Sequence, residues 1–280
     1  MSVSFHLCQP GGGASCGACC GLYNFRDHSR EALAQRLARH TARLQGVARE
    51  PAAFRKAARA SADEDRALAL FPAVRICPLL GFLPPDGSGG ERVGCLAHPR
   101  VTGGVDLRDC GVYRAEVCET FTCPSFGWLS DAQARLVQAA CADWYLYGLV
   151  ITDVEFVQGC LRLLAWECGR EVPCEALLAH GPALAALRRL FALKEAAAAE
   201  TRGAAPGGAR AGGVFGRFRP DADGEPQLQA LDYAALGAHA APEDDVVVCL
   251  GHLPADGSAL ERARAQVRSH VRAVAAALEG

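Results

Sequence analysis

The segment Cys8-Gln-Pro-Gly-Gly-Gly-Ala-Ser-Cys16-Gly-Ala-Cys19-Cys20 constrains this chain more than any other. It brings four thiols together in a glycine-rich stretch with no apolar period, which places its cysteines for ligation rather than for packing. A second set follows at Cys77, Cys95, Cys110, Cys118 and Cys123. The two sets together form a candidate metal centre.

What the cysteines do depends on where the chain works. The opening Met-Ser-Val-Ser-Phe-His-Leu-Cys lacks the basic and apolar regions of a secretory signal, and no later run reaches the length of a membrane span. These features predict a cytoplasmic protein with no membrane partner. In a reducing compartment, clustered cysteines serve as metal ligands or reactive thiols more than as disulfides. A chain of 280 residues, half of them hydrophobic, also has enough core not to need a disulfide framework for its 14 cysteines. The net charge of -2 carries no long-range field toward nucleic acid or an acidic membrane. The mixed aromatic and basic run Val214-Phe-Gly-Arg-Phe-Arg219 therefore reads as a short strand or ordered tail rather than a nucleic-acid contact.

Thiolate is a soft ligand that selects zinc, copper(I), iron or iron-sulfur clusters over magnesium and calcium. Cys16-Gly-Ala-Cys19 can place two sulfurs on one ion, with Gly17 allowing the tight turn. Cys19 and Cys20 are adjacent, and their diverging side chains would be strained on one tetrahedral ion, so two ions or a cluster is an alternative. Cys8, Cys16, Cys19, Cys20, Cys77, Cys95, Cys118 and Cys123 supply eight sulfurs, twice what one closed zinc site needs. Cys110 is a further candidate, and His98, three residues after Cys95, is an alternative ligand. Gly11, Gly12 and Gly13 have two readings, a backbone nest directed at the thiolates or a simple connection. Cys141, Cys160 and Cys168 fall at core spacing and are set aside with Cys174. Asp221-Ala-Asp-Gly224 lacks the remaining oxygen ligands of a calcium loop.

The periodicity predicts a mainly α fold around an irregular cysteine-rich core made of two loop segments. Leu33, Leu37, His40 and Leu44 mark a helix over 30–48, with His40 as a partly buried core-edge residue. Pro51 opens a second, and Ser61-Ala-Asp-Glu64 is a capping box for a third that ends before Pro72. Residues 72–124 read as loops, with 84–92 at the surface. Ser130-Asp-Ala-Gln133 caps a helix to about 147, Thr152-Asp-Val-Glu155 opens the next, and Pro182 begins one to about 200. Residues 202–213 read as a flexible linker, 245–250 as a brief strand, and Ser258-Ala-Leu-Glu261 as the cap of a last amphipathic helix. The expected division is a cysteine domain at 1–128, a helical region at 129–201, the linker, and a C-terminal segment at 214–280.

Cys16-Gly-Ala-Cys19-Cys20, Cys77-Pro-Leu-Leu, Gly94-Cys95, and Tyr113 leading to Cys118 and Cys123 together resemble the YkgJ-like cysteine-cluster family. The resemblance covers roughly 8–124. The family's first cysteine falls at Gly13, for which Cys8 is a candidate replacement, and Arg114-Ala115 stands where the family has Arg-Pro. The resemblance implies zinc or iron chelation. Some relatives with a similar cluster look like flagellin lysine methylases, so an iron-sulfur or iron-dependent enzyme with protein-lysine methyltransferase-like activity is one alternative. A structural zinc module with a protein partner is the other. No Ser-His-Asp order, paired carboxylates or P-loop stands out.

Overall fold

The computed structural model describes residues 3–85, 87, 90–200, 217–251 and 253–280, and about 54% of the chain is helical. The expected linker at 202–213 lies outside the described residues, as do 214–216 and three positions of the expected surface loop at 84–92.

After a 3-10 turn at Ala18–Cys20 comes α1 (Arg30–Leu44), which buries Leu33, Leu37, His40 and Leu44 as the periodicity predicts. Pro51 opens α2 (Pro51–Arg66), a single helix where two were expected. Phe54, Ala58, Ser61 and Asp65 form one buried stripe along it, so Ser61 is inside the helix and not at its cap. The Ser61 hydroxyl instead accepts a hydrogen bond from Arg43 of α1 at 3.0 Å. Asp65 meets His40 Nε2 at 2.8 Å, while His40 Nδ1 lies 2.9 Å from the Leu80 carbonyl. His40 is thus engaged at both nitrogens and joins α1, α2 and the strand that follows.

The stretch read as loops contains a hairpin, β1 (Leu80–Phe82) against β2 (Val93–Cys95), with Leu80 paired to Cys95. Short helices α3 (Pro99–Thr102), α4 (Ala115–Thr120) and α5 (Ser125–Trp128) follow. Ser130 then caps α6 (Asp131–Ala140) through the expected capping box, its hydroxyl accepting from Gln133 N–H at 3.1 Å. The helix stops short of residue 147, because Asp143 accepts hydrogen bonds from the N–H groups of Tyr145 and Leu146 and starts α7 (Trp144–Ile151). All eight residues of α7 are buried, as befits a helix apolar on every side. Asp153 caps α8 (Val154–Glu167), and α9 (Cys174–Ala179), α10 (Gly181–Phe191) and α11 (Leu193–Ala199) complete this part. The helix expected from Pro182 to about 200 is therefore two, α10 and α11, joined at Ala192.

A second hairpin pairs β3 (Phe218–Pro220) with β4 (Pro226–Leu228), and Asp221 to Gly224 form its turn. After α12 (Tyr233–Leu236), the expected strand is a helix, α13 (Asp244–Cys249). The run 246–248 reads as a strand by β-propensity, but Val246 and Val247 are buried in the large core, this helix packs against α8, and packing overrides propensity. Asp256 caps the long α14 (Gly257–Glu279), which packs against α8 and α10.

One large core joins Val3, Leu7 and Ala14 to α6 through α10, α13 and α14. Two smaller clusters lie under the cysteines. One gathers Leu22, Tyr23, Leu37, Leu80 and Trp144, and the other gathers Leu44, Phe54, Leu79, Leu96 and Leu107. Among the described residues, no helix is long and apolar enough to cross a membrane.

Candidate metal centre

The first cysteine segment is held as a loop by its own backbone and by its neighbours. Cys16 N–H donates to the Cys8 carbonyl at 3.0 Å, and Gly11, Gly12 and Gly13 turn the chain at φ of 95°, 64° and 86°, which L side chains rarely adopt. Tyr147 donates to the Leu7 carbonyl and Gln138 to the Pro10 carbonyl, both at 2.9 Å. On the other side, Gln9 donates to the Val93 carbonyl, and Val93 N–H donates to the Ser15 hydroxyl at 2.8 Å. The loop is thereby fixed between α6, α7 and β2.

At Gly21 this segment crosses the second one. Gly21 has φ of 83°, and a Cβ there would sit 2.5 Å from the Arg75 carbonyl oxygen and 2.8 Å from Ile76 Cα. Only glycine permits the approach that lets Cys77 N–H donate to the Cys20 carbonyl at 2.8 Å. Cys95 enters as the last residue of β2, beside Leu80 of β1. Gly111 lies against the same point, since a Cβ on it would be 3.0 Å from Cys77 Sγ. Cys118 projects from α4, and Cys123 stands between α4 and α5.

Several of the sulfurs accept hydrogen bonds. Cys16 Sγ receives Ala18 N–H at 3.5 Å. Cys77 receives the N–H groups of Leu79 and Val112, and Cys95 receives that of Ala97. Donors aimed at sulfur favour the thiolate, which is the ligating form. Burial opposes them, since it disfavours charge. It pushes Cys8 up to about 11, with the Cys123 charge adding to it, and Cys95 up to about 12. Cys16, Cys20, Cys77 and Cys118 are raised by the same cause. Cys123 goes the other way. The Cys19 thiol donates to it, and against the effect of burial the Ser125 hydroxyl and the N–H groups of Ser125 and Phe126 hold it well below the ordinary thiol value.

The eight sulfurs do not act on one another evenly. Cys16 is affected by Cys8 and Cys123, and Cys19 by Cys123, Cys16 and Cys8. Cys20 is affected first by Cys77 and Cys95, then by Cys8 and Cys118. Packing follows a similar division, with Cys16 at the edge of the large core and Cys20, Cys77 and Cys95 around the Leu79 cluster. Among the described residues, no group of three His, Cys, Asp or Glu side chains closes to metal-ligating geometry.

The other candidates have partners of their own. Cys110 is buried and its thiol points at the Pro51 carbonyl, 3.5 Å away. His98 caps α3 by accepting from Arg100 N–H at 3.2 Å. Cys141 and Cys160 are buried in the large core, and Cys168 and Cys174 pack against it. All 14 cysteines are free thiols. A cavity of about 10 Å³ beside Cys20 and Cys77, lined also by Leu22, Arg36, His40 and Leu80, has room for about one water.

Sequence reasoning missed the contributions of Ser125 and the β1–β2 hairpin, and it read Tyr113 only as part of the resemblance. Tyr113 lies close enough to Cys20 and Cys77 for their charges to raise its hydroxyl beyond what burial does. The hairpin had a signal, since Leu80-Gly-Phe82 and Val93-Gly-Cys95 are short apolar runs flanking a Gly- and Pro-rich turn. The chain matches no family model, no curated protein and no solved structure.

Proposed function

We propose that this is a metal-binding protein that holds zinc or iron through Cys8, Cys16, Cys19, Cys20, Cys77, Cys95, Cys118 and Cys123, as a relative of the YkgJ-like cysteine-cluster family. The observation that supports the reading is the crossing of the two cysteine segments, where Cys77 N–H donates to the Cys20 carbonyl at 2.8 Å and Cys20, Cys77 and Cys95 share one small apolar cluster, with the Ala18 N–H donating to Cys16 Sγ at 3.5 Å. Such donors orient and stabilise thiolate ligands from outside the coordination sphere. The donor set is all sulfur, which suits zinc, iron or an iron-sulfur cluster and not a hard cation. Burial raises most of these thiols, so a bound ion, which replaces their protons, relieves the cost of burying them. The ligating geometry closes as the ion enters, tying the N-terminal loop to the hairpin and to α4. Clustered thiols of this kind stay reduced in the cytoplasm, which is the compartment this reading implies.

The test is elemental analysis with a visible spectrum on protein purified without oxygen. Zinc with no visible absorption supports a structural or binding role. Iron with charge-transfer bands that bleach on reduction supports a redox or methyltransferase-type enzyme. Protein that carries neither metal, and takes up neither after full reduction, overturns the proposal.

A further inference from the structure

We infer that Cys20 and Cys77 are a redox pair that closes to a disulfide when a peroxide reaches them. The inference goes beyond the metal-binding reading and does not rest on it. It stands on the place where the two cysteine segments cross. Cys77 N–H donates to the Cys20 carbonyl at 2.8 Å. With standard bond lengths on either side of that hydrogen bond, the two Cα atoms are at most about 6.7 Å apart, within the span that a disulfide bridges. The two side chains also face the same space. Both line the cavity of about 10 Å³ that Arg36, His40 and Leu80 share, and both belong to the Leu79 cluster. Cys19, the other thiol at this point of the chain, is exposed and lies outside that cavity lining.

The crossing holds the pair in place before any bond forms. The approach of Gly21 to the Arg75 carbonyl and Ile76 Cα fixes the two backbones, so closure needs rotation of the side chains and no shift of the main chain. Cys20 is the half-buried partner and Cys77 the buried one. The Cys20 sulfur therefore meets the peroxide first and becomes a sulfenic acid, with loss of one water. The Cys77 sulfur then attacks the Cys20 sulfur, the S–S bond forms, and the sulfenic oxygen leaves with a proton as a second water. Two thiols and one peroxide become one disulfide and two waters. The bridge spans all of α1 and α2 and ties the N-terminal loop covalently to the segment that leads into β1. Both sulfurs are also candidate metal ligands, so the disulfide and an ion held by them exclude each other.

The experiment uses the full chain, stripped of metal under reducing conditions, treated with hydrogen peroxide, alkylated and mapped by mass spectrometry. A peptide carrying Cys77 is joined to the peptide carrying Cys20. The link is lost in Cys20→Ser and kept in Cys19→Ser. The melting temperature of the wild type rises on oxidation, because the bridge closes a long loop, and that of Cys20→Ser does not rise by the same amount. Cys77 recovered as the alkylated thiol after full oxidation, or a link that survives in Cys20→Ser, overturns the inference. If Cys20→Ser fails to fold, fragment ions of the cross-linked wild-type peptide locate the bridge and decide alone. Neither outcome bears on metal content, which elemental analysis reads separately.

Discussion

The helices around α8 and α14 and the cysteine segments around β1 and β2 are assembled by different means. The first region is held by one large apolar core, with buried ion pairs set into it. Arg264 meets Asp244 with both Nε and Nη2 at 2.7 Å, and Lys194 meets Asp153 at 2.6 Å. The second region has two small clusters, and its segments meet through backbone hydrogen bonds at glycine crossings such as Gly21. The first region gathers its apolar side chains into that one core. The second has little apolar surface for the length of chain it orders, which is the situation in which a bound ion contributes directly to folding.

Breaking a buried pair in the helical region has the largest expected effect. Asp244→Asn leaves Arg264 with the exposed Glu261 in place of its buried carboxylate partner and costs about 3 kcal/mol by urea unfolding, with metal content per folded chain unchanged. The pH dependence has a definite sign. Against the effect of burial, Arg264, Ala241 N–H and Tyr233 hold the Asp244 carboxyl below its ordinary value. Its stabilisation is therefore fully present above the unfolded carboxylate pKa and is lost as pH falls through the folded one. The gap between wild type and Asp244→Asn narrows on acidification; a gap that widens would contradict the assignment.

Removing metal has the next largest effect and falls on the other region. At a free-ion concentration a hundredfold above Kd, a chelator removes about 2.7 kcal/mol of stability. Hydrogen exchange should speed up at the amides of Cys16, Cys77 and Leu96 and leave those of α14 protected. Uniform loosening across both regions would dissolve the comparison.

Gly148→Ala tests the seam between the regions. An added methyl would overlap the Tyr23 hydroxyl, which donates to the Tyr145 carbonyl at 3.1 Å and anchors the chain just after Cys20. Overpacking there costs about 1–3 kcal/mol and lowers metal retention during dialysis. The smallest effect is local. Ser130→Ala removes the cap of α6 and costs about 1 kcal/mol with metal affinity unchanged.

The parts of the fold legible in the sequence are those set by neighbours along the chain. The stripe of Leu33, Leu37, His40 and Leu44, the Ser130 capping box and the Pro51 helix start each depend on residues within a turn or two, and each is in place. The eight candidate ligands were also readable, because their residue type, their clustering and a glycine-rich context with no apolar period are all local properties. Other outcomes had rivals of similar local strength. Ser61 has a capping sequence but lies in a helix interior, because Arg43 and the α1 face claim that side of α2. The Val246 run has strand propensity but becomes helix inside the large core. Which sulfur stands beside which was decided by tertiary structure alone. It follows from the Gly21 crossing, the Leu80–Cys95 register and the hydrogen bonds that fix the first loop to Tyr147 and Val93, all contacts between residues far apart in sequence. Residue type and spacing name candidate donors, but where each cysteine stands follows from long-range packing, because closing loops of this length costs entropy that local sequence cannot offset.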